Sequence, residues 1–355
     1  MNTRLRIDDN NVIYYDLTNN VDYDLTNNVD IDLFEEGKGL SYLQEDLNYH
    51  NINIDDIKNH PWIIESLGEG YSPQDIESFR QLLLSYGVTK IGAFFTACVD
   101  TNVLPYPAVS LPELMADVGN WHNDFKEQNV DWRNVQMSHQ LVCLAGRPSV
   151  VRCTIARKLL ELLEQEQIII SLGINGDDLS PAMEKALGSC PYPLVIDIEE
   201  IQQENELTSS KLFNAPLQLI HETSWDGVIY DGRHAWNTQF ITEKTYKALS
   251  FRQLPVWCTV SGFVNRVREL GFDVFDDIID HSYDNVKDPE KRINVIMKEI
   301  KRLLTLDTRQ IRLNVLDRLQ KNADIVDEIV LHGCYRNGIK IQKVLDKFKD
   351  KRTVG

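Results

Sequence analysis

The sequence has no apolar run of the ~18–20 residues that a membrane-spanning helix needs. Behind the amino-terminal MNTRLRIDDNN no apolar stretch follows, so a secretory signal is not expected either. There is no Cys-x-x-Cys pair. The six cysteines, Cys98, Cys143, Cys153, Cys190, Cys258 and Cys334, are scattered, and several sit in apolar runs such as AFFTACV and LPVWCTV. They read as buried free thiols of a reducing cytosol, which excludes a disulfide framework and a zinc knuckle. Also missing is the G-x-G-x-x-G that a dinucleotide-dependent epimerase or dehydrogenase carries after its first strand; the one close glycine cluster, SLGEGYS, lacks the pattern. Positive charge is scarce as well: 37 Lys and Arg stand against 54 Asp and Glu, a formal net charge of −17. Such a chain repels polyanions on average, which disfavours indiscriminate nucleic-acid binding.

What is present is a globular composition, 43% hydrophobic and 26% charged over 355 residues, enough for about two domains. The acidic residues crowd the first sixty positions, whereas the closing KIQKVLDKFKDKR (Lys340 to Arg352) is basic. Residues 15–22 and 23–30 are the same octapeptide, YDLTNNVD. A period this short builds no solenoid, and Asn-Asn favours turns, so the duplication reads as a strand-turn segment or surface arm.

From about residue 60 the pattern becomes α/β. PQDIESFRQLLLSY (73–86) predicts a helix with proline at its start and Gly87 after it, and KIGAFFTAC (90–98) a strand. The short helix expected in PAVSLPELMADVGNWHNDF follows. Strand and helix then alternate clearly. HQLVCLAG is a strand ending at Gly146, RPSVVRCTIARKLLELLEQE a loop and amphipathic helix, IIISLG a buried strand, and PLQLIHET (216–223) a strand ending in polar residues. TEKTYKALS (242–250) is a helix with Thr242 as N-cap, LPVWCTV (254–260) a strand, and GFVNRVRELGF (262–272) a helix closing before Gly271. Short apolar strands alternating with helices predict a parallel, doubly wound sheet. Beyond about 287 the chain is expected to be helical, its last helix crossing back onto the first domain.

Ligands of open parallel sheets bind beyond the carboxyl ends of the strands, and three polar segments fall there. In Gly146-Arg147-Pro148-Ser149-Val150-Val151-Arg152, two arginines at a helix start suit a diphosphate; the plainer reading of Arg152 is a solvated helix residue. Glu222, closing PLQLIHE, can take ribose hydroxyls; the plainer reading is a helix cap or a loop ion pair. Glu243 and Lys244 open the helix that Thr242 caps. A glutamate there serves the helix dipole, while a lysine is unfavourable unless an anion is near.

The block ET-x(16)-FITEKTYKAL-x(5)-PVW, the earlier LAGRPSVVRCTIARKLLE and the later GF-x-x-F…D-x-SYD resemble, in order, the donor-binding half of the fucosyltransferase-like glycosyltransferases. The segment GFVNRVRELGFDVFDDIIDHSYDNVKDPEKRI looks like homologues carried by tailed phages and other viruses. The resemblance covers roughly residues 138–300. It implies two Rossmann-like domains, the GT-B arrangement, with parallel sheets flanked by helices and a ligand cleft between the domains. Residues 1–137 would be the acceptor-side domain carrying the duplicated arm, and 138–355 the donor domain with the terminal helices. It implies transfer of a sugar from a UDP- or GDP-linked donor, with no cofactor. Arg152, with Arg147 in support, would neutralise the donor diphosphate; Glu243 would hold the ribose, Lys244 the phosphates, and Glu222 would line the same cleft. His221-Glu222 stands where that family has Phe-Glu, and Phe251-Arg252-Gln253 replaces its small residues, so fucose is not implied.

Positive side chains would carry the charge of the leaving pyrophosphate without a metal. The Asp-x-Asp-like triplets Asp22-Tyr23-Asp24, Asp30-Ile31-Asp32 and Asp197-Ile198-Glu199 read as parts of the repeat and a strand end. A general base is sought after the strand 90–98, among Asp100, Glu113, His122 and Asp124, with Asp100 and His122 named first. The acceptor would be a glycan or a hydroxymethylated DNA base, and the setting cytoplasmic, the host cytoplasm if the chain is phage-encoded. The rival reading is a non-catalytic glycosyltransferase-like virion or interaction protein.

Overall fold

The computed structural model describes residues 5–7, 11–16, 43–44, 47–66, 73–95, 104–111, 130–162, 168–173, 178–196, 215–222, 224–225, 228–229 and 239–349. The fold is α/β, with parallel-strand sheets flanked by helices. The chain divides into two compact units, residues 1–114 with 334–355, and residues 115–333. Among the described residues no helix is long and apolar enough to cross a membrane.

The first unit holds strands β1 (Leu5–Ile7), β2 (Ile13–Asp16), β3 (Trp62–Ser66), β4 (Ile91–Phe95) and β5 (Ala108–Ser110), side by side in chain order, with helices α1 (Ile54–Ile57) and α2 (Pro73–Ser85). β2 to β5 run parallel; β1 is antiparallel to β2. The five residues between them are too few for the crossover that a parallel neighbour requires, which fits the antiparallel pairing.

Parallel crossovers are right-handed, and here each steps the same way, which sends their helices to one face. Tyr15, level with Ile64 and Ala93, stacks on Phe79 of α2 at 4.6 Å between ring centroids. The opposite face, through Val12, Tyr14, Ile63 and Phe94, would lie bare. It is covered by the end of the last helix (Leu316–Lys349), where Val344 is buried in that cluster and Ile341, Leu345 and Phe348 pack around it. Gly92 marks the closest approach: a Cβ there would stand 3.0 Å from Phe348 Cζ and 3.0 Å from the Pro107 carbonyl oxygen.

The second unit is built on β6 (Leu141–Ala145), β7 (Ile168–Leu172), β8 (Leu194–Ile196), β9 (Leu217–His221) and, after a two-residue ladder of β10 (Ser224–Trp225) with β11 (Val228–Ile229), β12 (Leu254–Cys258). Its helices are α3 (Val150–Leu162), α4 (Pro181–Leu187), α5 (Glu243–Ser250), α6 (Phe263–Glu269), α7 (Pro289–Leu303) and α8 (Thr308–Asn314). The order is β12-β9-β6-β7-β8, parallel except for β8, which runs antiparallel to β7. The expectation of a wholly parallel sheet is therefore corrected at one edge of each unit. Apart from that edge, this is the Rossmann-like order, with the chain starting in the middle, building one flank and returning to build the other.

Residues 130–137 pack with the second unit, not with the amino-terminal domain assigned from the sequence. Val130, Trp132 and Val135 lie on Val142, Ile169, Ala215 and Phe251. The Trp132 ring is held by two guanidiniums, Arg252 at 4.7 Å and Arg312 at 5.5 Å from its centroid. Arg312 is fully buried and donates to the carbonyls of Arg252 (2.8 Å) and Phe251 (3.3 Å).

Candidate functional site

The second sheet reverses its building direction between β6 and β9, and loops leaving two such strands diverge and open a crevice at their carboxyl ends. Because β6→β7 and β9→β12 step in opposite directions, α3 and α5 occupy opposite faces while both begin at that edge. The side chains agree. Cys143 and His221 lie on the α3 face, next to Arg152, whereas Glu222 and Trp257 bond into α5.

After β6 the chain turns through Gly146 to Ser149. Ser149 caps α3, its Oγ accepting from Arg152 N at 3.2 Å. Arg152 does not project into solvent. It is buried, and its Nη1 donates to the Arg147 carbonyl at 2.9 Å, so it braces the loop from below. Arg147 itself is half-buried at the edge.

Beneath this loop Cys143 Sγ stands 3.3 Å from His221 Nε2, a contact between residues too far apart in the chain for spacing to reveal. Burial pulls the imidazole down to about 3, with Arg152 adding to the effect, and pushes the thiol up to about 12 despite Arg152. Both groups are neutral around pH 7. The pair is therefore a packed core contact, not an activated thiolate with its base.

Glu222 is also buried, and its carboxylate goes to the fold. It accepts from Thr242 N, 3.3 Å from each oxygen, and from the hydroxyls of Thr242 and Thr245. Trp257 Nε1 donates to Thr245 Oγ1 at 3.1 Å. Thr242 caps α5 as expected, accepting from Lys244 N at 3.3 Å. Of the two readings of Glu222, the geometry shows the helix anchor. Glu243 and Lys244 remain partly exposed at the edge and pair at 2.9 Å. Burial acts to raise Glu243, but Lys244 and Lys247 outweigh it and hold the carboxyl below the usual range.

The third edge segment explains much of D-x-SYD. α6 starts at Gly262, φ 82°, which offers no side-chain cap. The Asp284 carboxylate takes the place of one, accepting from Val264 N (3.0 Å) and Asn265 N (3.2 Å). Tyr283 Oη accepts from Trp257 N on the outer side of β12 at 3.3 Å, and His281 bonds Tyr283 Oη through Nδ1 (2.8 Å) and the Val274 carbonyl through Nε2 (2.7 Å). A carbonyl only accepts, so the proton sits on Nε2 and Nδ1 receives the tyrosine hydroxyl. Arg292, also buried, donates to the carbonyls of Thr259, Val286 and Lys287. Asp284→Ala is expected to cost about 2 kcal/mol, since both first-turn amides lose their acceptor. In a thermal melt that is a fall of roughly 5 °C; an unchanged melting temperature would show the cap to be dispensable.

A helix start can take an anion only where a protein carboxylate has not already done so. α4 has Glu184 in its first turn, α5 has Glu243 with Glu222 beside it, and the α6 amides are spent on Asp284. α3 has no acidic residue in its first turn. Among the described residues, α3 is the helix start at this edge left for an anion, with Arg147 beside it.

Arg147 and Arg152, with α3 on one face, and Glu222, Glu243 and Lys244, with α5 on the other, thus lie at the same carboxyl edge of one sheet, Arg152 and Glu222 buried as supports. Asp100, Glu113, His122 and Asp124 lie outside the described residues, as do the acidic triplets at 22–24, 30–32 and 197–199 and most of the octapeptide repeat. Among the described residues no three His, Cys, Asp or Glu side chains form a group able to hold a metal ion. Compared with protein-family models, with curated proteins and with solved structures, the chain matches none of them.

Proposed function

We propose that the chain is a glycosyltransferase that holds a nucleotide-sugar donor at the carboxyl edge of the second sheet. The observation that carries this reading is the α3 start: it lies at the switch point, carries no carboxylate in its first turn, and is entered through Arg147 on a loop braced by Arg152. The pyrophosphate sits on the amides that open α3 and on Arg147. Glu243 takes ribose hydroxyls, and Lys244 exchanges its partner Glu243 for a phosphate oxygen. The acceptor hydroxyl attacks the anomeric carbon, the bond to the pyrophosphate breaks, and the nucleoside diphosphate leaves with its growing charge met by Arg147, Lys244 and the helix amides. The acceptor, a glycan or a hydroxymethylated DNA base, is assigned to the first unit in the two-domain GT-B manner; of the two candidate bases, Asp100 falls within that unit and His122 within the second.

Calorimetric titration with UDP, GDP and their sugars tests the donor site. At least one is expected to bind, and Arg147→Ala and Lys244→Ala are each expected to weaken it roughly tenfold or more, the scale of a charge-assisted contact at about 1.4 kcal/mol per decade. Binding unaffected by both changes would overturn the site. Binding without turnover against any acceptor would favour the non-catalytic reading.

A further inference from the structure

We propose that Glu222 is a positioning residue: its ionised carboxylate latches the amino end of α5, and gain of a proton there loosens the turn that presents Glu243 and Lys244. The inference rests on the donor reading only for its consequence; the latch itself stands on the geometry.

The direction of every hydrogen bond around the carboxylate can be assigned. Trp257 Nε1 has only a proton to give, so Thr245 Oγ1 accepts from it and sends its own proton to Glu222 Oε1. Thr242 Oγ1 accepts from Lys244 N and sends its proton to Glu222 Oε2. Thr242 N adds a third donor. Three donors thus converge on one carboxylate, an arrangement only the anion satisfies. A protonated Glu222 must give its proton to one of the two hydroxyl oxygens, and that hydroxyl then loses its acceptor inside a buried site.

The charged groups facing Glu222 come from α5, with Lys244 favouring the anion and Glu243 opposing it. β12 contributes the uncharged Trp257, and the neighbouring His221 on β9 lies on the other face of the sheet with Arg152 and Cys143. Burial outweighs the donors and Lys244 and pushes Glu222 up to about 7, so the latch changes state near neutrality. Ionised Glu222 is disfavoured by burial, so this group contributes most to stability below about 4.5 and loses that contribution as pH rises through about 7. The ordered turn is thus obtained at the expense of global stability, and a structural role alone predicts no such opposition.

The test uses the full chain labelled with ¹⁵N-tryptophan, the Trp257 indole resonance being identified by its loss in Trp257→Phe. That resonance is expected to titrate with a midpoint near 7 and to stop doing so in Glu222→Gln. Should Glu222→Gln not fold, Thr245→Val, which cuts the indole from the carboxylate, must abolish the titration instead. A resonance unmoved between about pH 5.5 and 8.5, or still titrating in these variants, overturns the latch. In parallel, the affinity for UDP or GDP is expected to fall at least roughly threefold from pH 8 to 6 in the parent and to stay level in Glu222→Gln. A titrating indole with pH-independent binding overturns the positioning role. Absence of nucleotide binding at every pH would refute the donor reading and leave the indole to decide the latch.

Discussion

Val344→Asp is expected to bring the first unit close to its unfolding limit while leaving the stability of the second unchanged. Val344 is 3% exposed, in the cluster formed with Val12, Tyr14, Ile63, Phe94 and Leu111. A carboxylate there loses its water and gains no counter-charge from those neighbours, a cost of about 4 kcal/mol. Val344→Ala loses only the transfer and cavity terms of two methyl groups, about 2 kcal/mol. A unit of this size has roughly 5–15 kcal/mol to lose, so the alanine variant survives and the aspartate variant sits near its limit. Urea unfolding separates the outcomes. An early transition for part of the chain, with the rest unfolding as before, is the expected profile. An unshifted profile would mean that the last helix does not cover this sheet.

The same helix shows what the sequence made legible. Beyond about residue 287 the chain is expected to be helical with its last helix crossing back onto the first domain, and the cluster at Val344 gives the reason: five strands in chain order leave one face without a helix. β6, β7, β9 and β12 could be read because each is a short apolar run closed by a glycine or a polar residue. Thr242 could be read because capping is local. β3 was not among the expected strands: WIIES is short, and nothing next to it in the chain announces a partner, since its neighbours come from residues 13–16 and 91–95. The antiparallel edge at β8 depends on how the chain returns after α4, which periodicity does not record.

At the site the limit was side-chain direction. Spacing places Arg152 and Glu222 at the correct edge, but only packing turns one guanidinium back onto the Arg147 carbonyl and sends one carboxylate under α5. The α6 cap supplied by Asp284 comes from a segment 19–20 residues away in the chain, and local capping rules do not reach that far. The order Arg-loop, strand-Glu, TEK and D-x-SYD that carries the family resemblance is, on this geometry, largely a set of supports for the edge loops.

Arg152→Met is the sharper functional test, because it separates a support from a ligand contact. A charge-assisted bond to the Arg147 carbonyl contributes roughly 1.5–3 kcal/mol, and a buried guanidinium costs a comparable amount in lost hydration. Methionine fills much of the same space, so global stability is expected to change by about 1 kcal/mol or less. The loop from Gly146 to Ser149, however, loses the group that fixes it, and nucleotide affinity is expected to fall roughly tenfold or more. Arg152→Lys keeps the charge without the planar fork. If the charge alone acted on the ligand, lysine would restore binding; if the brace matters, it will not. His221 supplies a readout independent of any ligand. Arg152 helps burial hold it at about 3, so removing that charge must move its titration upward while the unit stays folded. Arg152→Met that binds nucleotide as the parent does would remove Arg152 from the site altogether.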